Sequence, residues 1–214
     1  MKIMEIDRNT DISGLNSLIR GIDFEMKPAS WYRENFSKEQ ILRFLYEQAI
    51  YVLPTDDLME YLFNLIGDDR CIEIGAGRGF VCNELGITGT DSWLQDDPKV
   101  KLYYQALGQP IIKYPKHVKK MDAIKAVKTL KPDTVIGCYV THKYRNDTQD
   151  GNYWGVDFKR LLSLIKKRLI LVGNKETHRN NPLMEIEHEE IEFPGLITRS
   201  YEDETNRIFI WTKK

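Results

Sequence analysis

At 214 residues, with 42% hydrophobic and 29% charged side chains, the chain is long enough to bury a substantial core and has the balance of an ordinary soluble globular protein. A formal net charge of −1 argues against a global field directed at nucleic acid or an anionic membrane. Three cysteines, Cys71, Cys82 and Cys138, odd in number and without C-x-x-C spacing, argue against a disulfide framework and fit free thiols in a reducing compartment.

Residues 1–50 read as helical. Ile12, Leu15, Leu18, Ile19 and Ile22 recur at helical spacing, and "SKEQ" (Ser37 to Gln40) has the form of a capping box ahead of "ILRFLYEQAI". Thr55 is the expected N-cap of "PTDDLMEYLFNLI", which carries Leu58, Leu62, Leu65 and Ile66 on one face. The strand "RCIEIG" follows, and from there strands and helices alternate. "GFVCNEL" reads as helix, "ITGTD" as strand, "PKVKLYYQAL" as helix and "HVKKM" as a weak strand. Asp122 is placed to cap the helix "AIKAVKTL"; "DTVIGCYV" reads as a buried strand, "DFKRLLSLIKKR" as a helix and "LILVG" as a strand. The tail, "LITRSYEDETNRIFIWTK", reads as two strands joined by a polar turn. Such alternation predicts a mostly parallel sheet with helices on both faces. Residues 141–155, "THKYRNDTQDGNYWG", read as a long loop without regular structure that leaves a strand's C-terminal end, a natural place for function. The start of the sequence shows no apolar signal-peptide core, and no apolar run approaches the length of a membrane span, so a cytoplasmic protein without membrane contact is expected.

The decapeptide "CIEIGAGRGF", Cys71 to Phe80, concentrates the chemical information. Glycines at 75, 77 and 79 suit a tight turn or the close approach of a ligand to the backbone. A plain turn needs nothing more. A dinucleotide loop, G-x-G-x-x-G, requires glycine or alanine at position 80, which is Phe80, and no P-loop G-K-[ST] is present. The remaining pattern, E-x-G-x-G-x-G at Glu73, Gly75, Gly77 and Gly79, resembles that of the class I S-adenosyl-L-methionine (SAM)-dependent methyltransferases.

The resemblance covers roughly residues 50 to 214. It continues through Asp91 at the end of "ITGTD", "MDA" (Met121 to Ala123), "DTVIGCYVTH" and a C-terminal hairpin whose last strand runs antiparallel. It implies a Rossmann-like, doubly wound, mostly parallel seven-stranded sheet with an antiparallel C-terminal strand, in a SAM-binding domain over residues 51–214. Residues 1–50 would form a helical cap over the cofactor mouth. The cofactor implied is SAM. Its binding residues would be Glu73, Gly75, Ala76, Gly77 and Gly79 in the loop and Asp91 on the ribose hydroxyls. Ser92, Trp93, Asp122 and Ala123 would surround the adenine, with Gly137 and Cys138 beside the sulfonium.

Methyl transfer asks mainly for positioning and desolvation, and for a base only where the acceptor must lose a proton. His142 is the candidate base, with packing as its competing role. Tyr139 and Tyr144 are candidates to line an acceptor pocket, Tyr153 and Trp154 to close over it, and Asn174 and His178 to face the acceptor. The four histidines have neither H-E-x-x-H nor paired-cysteine spacing, so no metal is expected. The Asp or Asn-Pro-Pro-aromatic element of DNA amino-methyltransferases is missing from "CYVTH". Seven lysines between Lys113 and Lys131 fit a phosphate track or, in preference, a solvated face. The expectation is a SAM-dependent methyltransferase acting on an unidentified acceptor, a small molecule in preference to nucleic acid; a SAM-binding protein without catalysis is the alternative.

Overall fold

A computed structural model of the protein describes residue 7, residues 9–143 and residues 154–213. The N-terminal region contains helices α1 (Ser13–Asn16), α2 (Ala29–Asn35) and α3 (Lys38–Glu47), with an antiparallel ribbon of β1 (Ile19–Arg20) and β2 (Asp23–Phe24) between the first two. The helix expected to run from Ile12 to Ile22 is therefore corrected to a single turn followed by a hairpin. Gly21, at φ 71°, takes the chain through a left-handed turn and leaves Ile22 at its tip, 51% exposed. Ile12, Leu15 and Leu18 still reach the core that the spacing assigned them, packed with Phe44, Leu45 and Leu53. The capping box of α3 forms in both directions: the Ser37 hydroxyl accepts from the Gln40 amide, and Gln40 Oε1 accepts from the Ser37 amide. Helix α4 (Asp56–Ile66) starts on Thr55, whose hydroxyl accepts from the Leu58 amide and donates to the Gly195 carbonyl.

The remaining elements are β3 (Cys71–Ile74), α5 (Phe80–Glu84), β4 (Thr88–Asp91), α6 (Pro98–Ala106), β5 (Lys119–Lys120), α7 (Ala123–Leu130) and β6 (Thr134–Cys138). After them come α8 (Phe158–Leu164), β7 (Arg168–Asn174), α9 (Lys175–His178), β8 (Glu189–Ile191) and β9 (Asn206–Thr212). Seven strands form one sheet in the order β5-β4-β3-β6-β7-β9-β8, with β9 antiparallel to its neighbours and the other pairings parallel. The fold is Rossmann-like and doubly wound. One face of the sheet packs Cys71, Ile136, Ile170 and Val172 against Leu58, Leu62 and Val81 of α4 and α5; the other packs Ile72, Ile74, Val135 and Leu171 against Val127 of α7 and Phe158 and Leu161 of α8. The chain winds outward from β3 through β4 and β5, then returns to the opposite side of β3 as β6. Their boundary is the topological switch point, where a crevice opens beyond the strands' C-terminal ends.

The expected tail hairpin is also corrected. β9 lies antiparallel between β7 and β8, whereas "LITRSY" forms no strand of the sheet. Leu196 enters the core beneath α4, Ile197 enters the cap core, and Thr198 makes a lone bridge with Val52. This segment joins cap to sheet. Phe80 completes the join by packing on Phe24, with ring centroids 5.3 Å apart. Both edge strands are short and charged, Lys119 and Lys120 on one side and Glu189 and Glu190 on the other, which discourages edge-to-edge pairing. Among the described residues no helix is long and apolar enough to cross a membrane.

Candidate functional site

Beyond Ile74 the backbone turns through three left-handed glycines, Gly75 (φ 61°), Gly77 (φ 54°) and Gly79 (φ 73°). They are not equivalent. A Cβ at Gly75 would lie 2.6 Å from Val140 Cγ2, and one at Gly79 would strike the His117 ring. At Gly77 the nearest atom would be Ile112 Cδ1 at 3.6 Å, ordinary contact. The outer glycines are thus closed in by protein, and Gly77 has room.

Two acids hold this loop. Asp91, at the end of β4, accepts from the Gly77 amide at 3.0 Å through one oxygen and from the Trp93 amide at 2.8 Å through the other. Glu73, inside β3, accepts from the Cys82 amide at 2.9 Å in the first turn of α5. Burial pushes the Glu73 carboxyl up to about 8, against the pull of its hydrogen bonds to Cys82 and Cys138, so at neutral pH it is mostly protonated. Burial also raises Asp91, opposed by the Trp93 and Gly77 amides and by the Tyr114 hydroxyl.

Around the loop lies a cavity of about 670 Å³ at the C-terminal ends of β3, β4 and β6. Its wall includes Glu73, Gly75, Ala76, Gly77 and Gly79, then Asp91 and Ser92, and Asp122 and Ala123 at the start of α7. Cys138, Tyr139 and Trp154 complete the expected residues found on it. Asp122 is also the N-cap of α7, accepting from the Lys125 amide at 2.9 Å.

Four expected residues stand behind this wall instead. Trp93 stacks on Tyr114 with centroids 5.4 Å apart and planes at 6°, with Lys120 Nζ 5.6 Å from its centroid. Gly137 is interior to the sheet: a Cβ there would press on Leu171 and Val140. His142 is buried and bridges Val156, while its neighbours Thr141 and Lys143 line the cavity. Asn174 caps α9 through Oδ1 and donates from Nδ2 to the Tyr139 hydroxyl at 2.7 Å. Tyr144 and Tyr153 lie outside the described residues. His178, expected to face the acceptor, is fully buried against Phe209, with neither ring nitrogen hydrogen-bonded among the described residues; burial lowers it to about 4, so it packs as a neutral ring.

Several wall residues carried no motif. Tyr51 comes from the chain following α3, Tyr104 from α6, and Ile112 and Tyr114 from the connection to β5. Tyr139 is itself left-handed at φ 56°, an uncommon conformation for a residue with a side chain. Its hydroxyl is fixed in direction. It accepts from Asn174 and contacts Thr198 Oγ1 at 3.0 Å; that hydroxyl already donates to Asn206, so Tyr139 donates to Thr198. This chain of bonds secures the turn at the end of β6 over the cavity. The seven lysines from Lys113 to Lys131 are all exposed, spread over the α6–β5 connection, β5 and α7. Among the described residues no three His, Cys, Asp or Glu side chains gather as a metal site requires.

No family model matches the chain, and no curated protein matches it either. Among solved structures it is similar to a crystal structure of the Thermoplasma acidophilum protein 1320, at 16% identity and a TM-score of 0.33, over 73% of this chain and 84% of that one. A likeness of that size adds nothing to the geometry of the site.

Proposed function

We propose that the protein binds SAM in the switch-point cavity and transfers its methyl group to an acceptor, a small molecule in preference to a macromolecule. The observation that carries this reading is the Asp91–Gly77 brace. It places a carboxylate and an unobstructed glycine side by side on the cavity wall. Lone pairs on the Asp91 carboxylate suit the vicinal diol of a ribose, and the space above Gly77 admits a ligand against the backbone.

The same loop is poorly suited to a pyrophosphate. A phosphate seeks free amides at a helix N-terminus. Here the Cys82 amide of that turn is taken by Glu73, an acid beneath the loop. Phe80 stands where a dinucleotide loop needs glycine or alanine, and it is buried in the cap core. SAM bears no phosphate. When bound it supplies an electrophilic methyl on a sulfonium, and the chain supplies position and exclusion of water. Tyr139 and Val140, on the turn beyond β6, and Tyr51, beyond α3, form walls that orient an acceptor. The preference for a small acceptor rests on the walls that Tyr51, Tyr139 and Val140 raise around the cavity.

Calorimetry with SAM, S-adenosyl-L-homocysteine and NAD tests the reading. Tight binding of the first two is expected. Gly77→Ala should weaken both about tenfold or more by placing a methyl in the ligand's space, while circular dichroism stays native. NAD binding tighter than SAM, or unchanged homocysteine-product affinity in the variant, would overturn the assignment. Transfer of labelled methyl to a panel of small acceptors tests the catalytic half.

A further inference from the structure

A second cavity, of about 190 Å³, lies between α2, α3 and the chain before β9, and shares no lining residue with the first. Its floor is apolar. Phe36 follows α2, Ile41 and Leu42 come from α3, and Ile197 comes from the tail; the last three are buried. Its rim is charged. Lys38 Nζ meets Asp203 Oδ2 at 3.2 Å and stands 4.9 Å from the Tyr201 ring centroid, which ties the start of α3 to the tail. Arg33, the other cation of the rim, has no hydrogen bond or ion pair among the described residues. Two cations against one carboxylate leave a positive charge unanswered at the mouth.

This lining selects a kind of ligand. An apolar cavity of about 150 Å³ is enough to take a benzene ring, so this one has room for a ring or a branched aliphatic body. The free guanidinium presents a planar fork that matches a carboxylate. Deeper in, the hydroxyl of Thr198 is already committed: it donates to Asn206 Oδ1 at 2.7 Å and accepts from the Tyr139 hydroxyl at 3.0 Å. The floor therefore favours a body without polar groups.

Thr198 also fixes where the cavity stands. The Leu53 amide donates to the Ile197 carbonyl at 2.9 Å, the Arg199 amide donates to the Tyr51 carbonyl at 3.0 Å, and Thr198 bridges Val52 between them. Tyr51 and Val52 line the first cavity, Ile197 and Thr198 the second. The bridge is a common wall.

We infer that this cavity is a second small-molecule site, for a compact organic acid whose apolar body fills the floor and whose carboxylate pairs with Arg33, and that its occupancy steadies the wall shared with the first cavity. The inference is independent of what the first cavity binds.

Benzoate is the probe, with benzamide as its uncharged counterpart and acetate as a carboxylate without a body. In amide proton–nitrogen correlation spectra, benzoate should move the signals of Leu42, Ile197 and Thr198 and leave those of Gly75, Gly77 and Gly79 in place. Benzamide should bind about tenfold more weakly, the scale of a charge-assisted hydrogen bond, and acetate at equal ionic strength should leave Leu42 and Ile197 unmoved. Arg33 is exposed, so Arg33→Met should fold as the wild type does; it should lose about tenfold in affinity for benzoate and almost none for benzamide. The wild type alone supplies another readout. A ligand on Ile197 and Thr198 opposes any local opening of the bridge, so hydrogen exchange of the Leu53 and Arg199 amides should slow roughly 100-fold at a hundred times Kd. Silence at Leu42 and Ile197, shifts centred on the glycine loop, equal affinity for benzoate and benzamide, or full benzoate affinity in Arg33→Met overturns the organic-acid site. Unchanged exchange at Leu53 and Arg199 with the site filled overturns the shared wall.

Discussion

The two ends of the sheet treat charge in opposite ways. At the N-terminal end of the parallel strands, Asp69 receives Lys167 at 2.5 Å, Arg168 at 2.6 Å and the Thr134 hydroxyl at 2.7 Å, while Asp133 meets Arg70 and Lys166. Both carboxyls are held below their usual range, Asp69 by Lys167, Thr134 and Arg168 against the effect of burial, Asp133 chiefly by the Arg70 amide. At the C-terminal end Glu73 and Asp91 have amides for partners and no cation within ion-pair distance among the described residues, and burial raises both. Arg78, on the cavity wall, meets no acid among the described residues. One end is electrostatically complete and serves stability. The other leaves charge unanswered beside a cavity, the arrangement by which binding sites are recognised.

Substitutions that act on one end should leave the other alone, and the largest expected effect is at Glu73. Its carboxyl is raised in the folded state from 4.5 to about 8, so the folded protein holds a proton that the unfolded chain releases. The stability it contributes is complete below about pH 4.5 and declines as pH rises towards 8, by on the order of 1.4 kcal/mol per unit. Glu73→Gln, which keeps an acceptor for the Cys82 amide, should remove that decline in urea titrations across this window; an unchanged slope would show that Glu73 is ionised in the fold. Asp69 runs the other way. Its depressed carboxyl contributes stability above the ordinary carboxylate range near pH 4, lost as pH falls through its lower folded value. Asp69→Asn should cost about 3 kcal/mol at pH 7, the low end for a broken sheltered pair because Lys167 regains water, with S-adenosyl-L-homocysteine affinity unaltered. A loss of binding in that variant would break the separation of the two ends.

At the cavity, on the proposed reading, Asp91→Ala should reduce S-adenosyl-L-homocysteine affinity by about 2 kcal/mol, read by calorimetry, since the proposed ribose contact and the brace on Gly77 would go together. The smallest effect sharpens the contrast from the stability side. Ala49 follows α3 in a left-handed conformation that glycine adopts without strain. Ala49→Gly should raise unfolding free energy by about 0.5–1 kcal/mol. A fall instead would mean that the alanine methyl's contacts on the cavity wall outweigh the relieved strain.

Much of this was legible in short-range patterns. Ser37 with Gln40, Thr55 and Asp122 cap helices through bonds to residues three positions away, so a reader of the chain needs only the neighbourhood. The glycine loop and Asp91 were legible for the same reason: a left-handed turn demands glycine, and a carboxylate ends the next strand. What escaped depends on distant partners. The pairing of β9 with β8 skips over Leu196 and Ile197, whose apolar character satisfies a strand pattern equally well but is spent on two separate cores. Ile22 matched a helical period that a single glycine interrupts.

The sequence by itself determined the alternation of strands and helices and the place of the loop, because hydrophobic period, capping and glycine conformation are properties of a few consecutive residues. Tertiary structure alone decided which side chains face the cavity. Whether His142 or Thr141 reaches the wall, whether Glu73 meets an amide or a cation, and whether Arg78 is answered by an acid or by Gln48 depend on how residues 9 to 30 positions apart or more are brought together in space. Charges and hydrogen bonds act over a few ångströms of space, and distance along the chain says little about that.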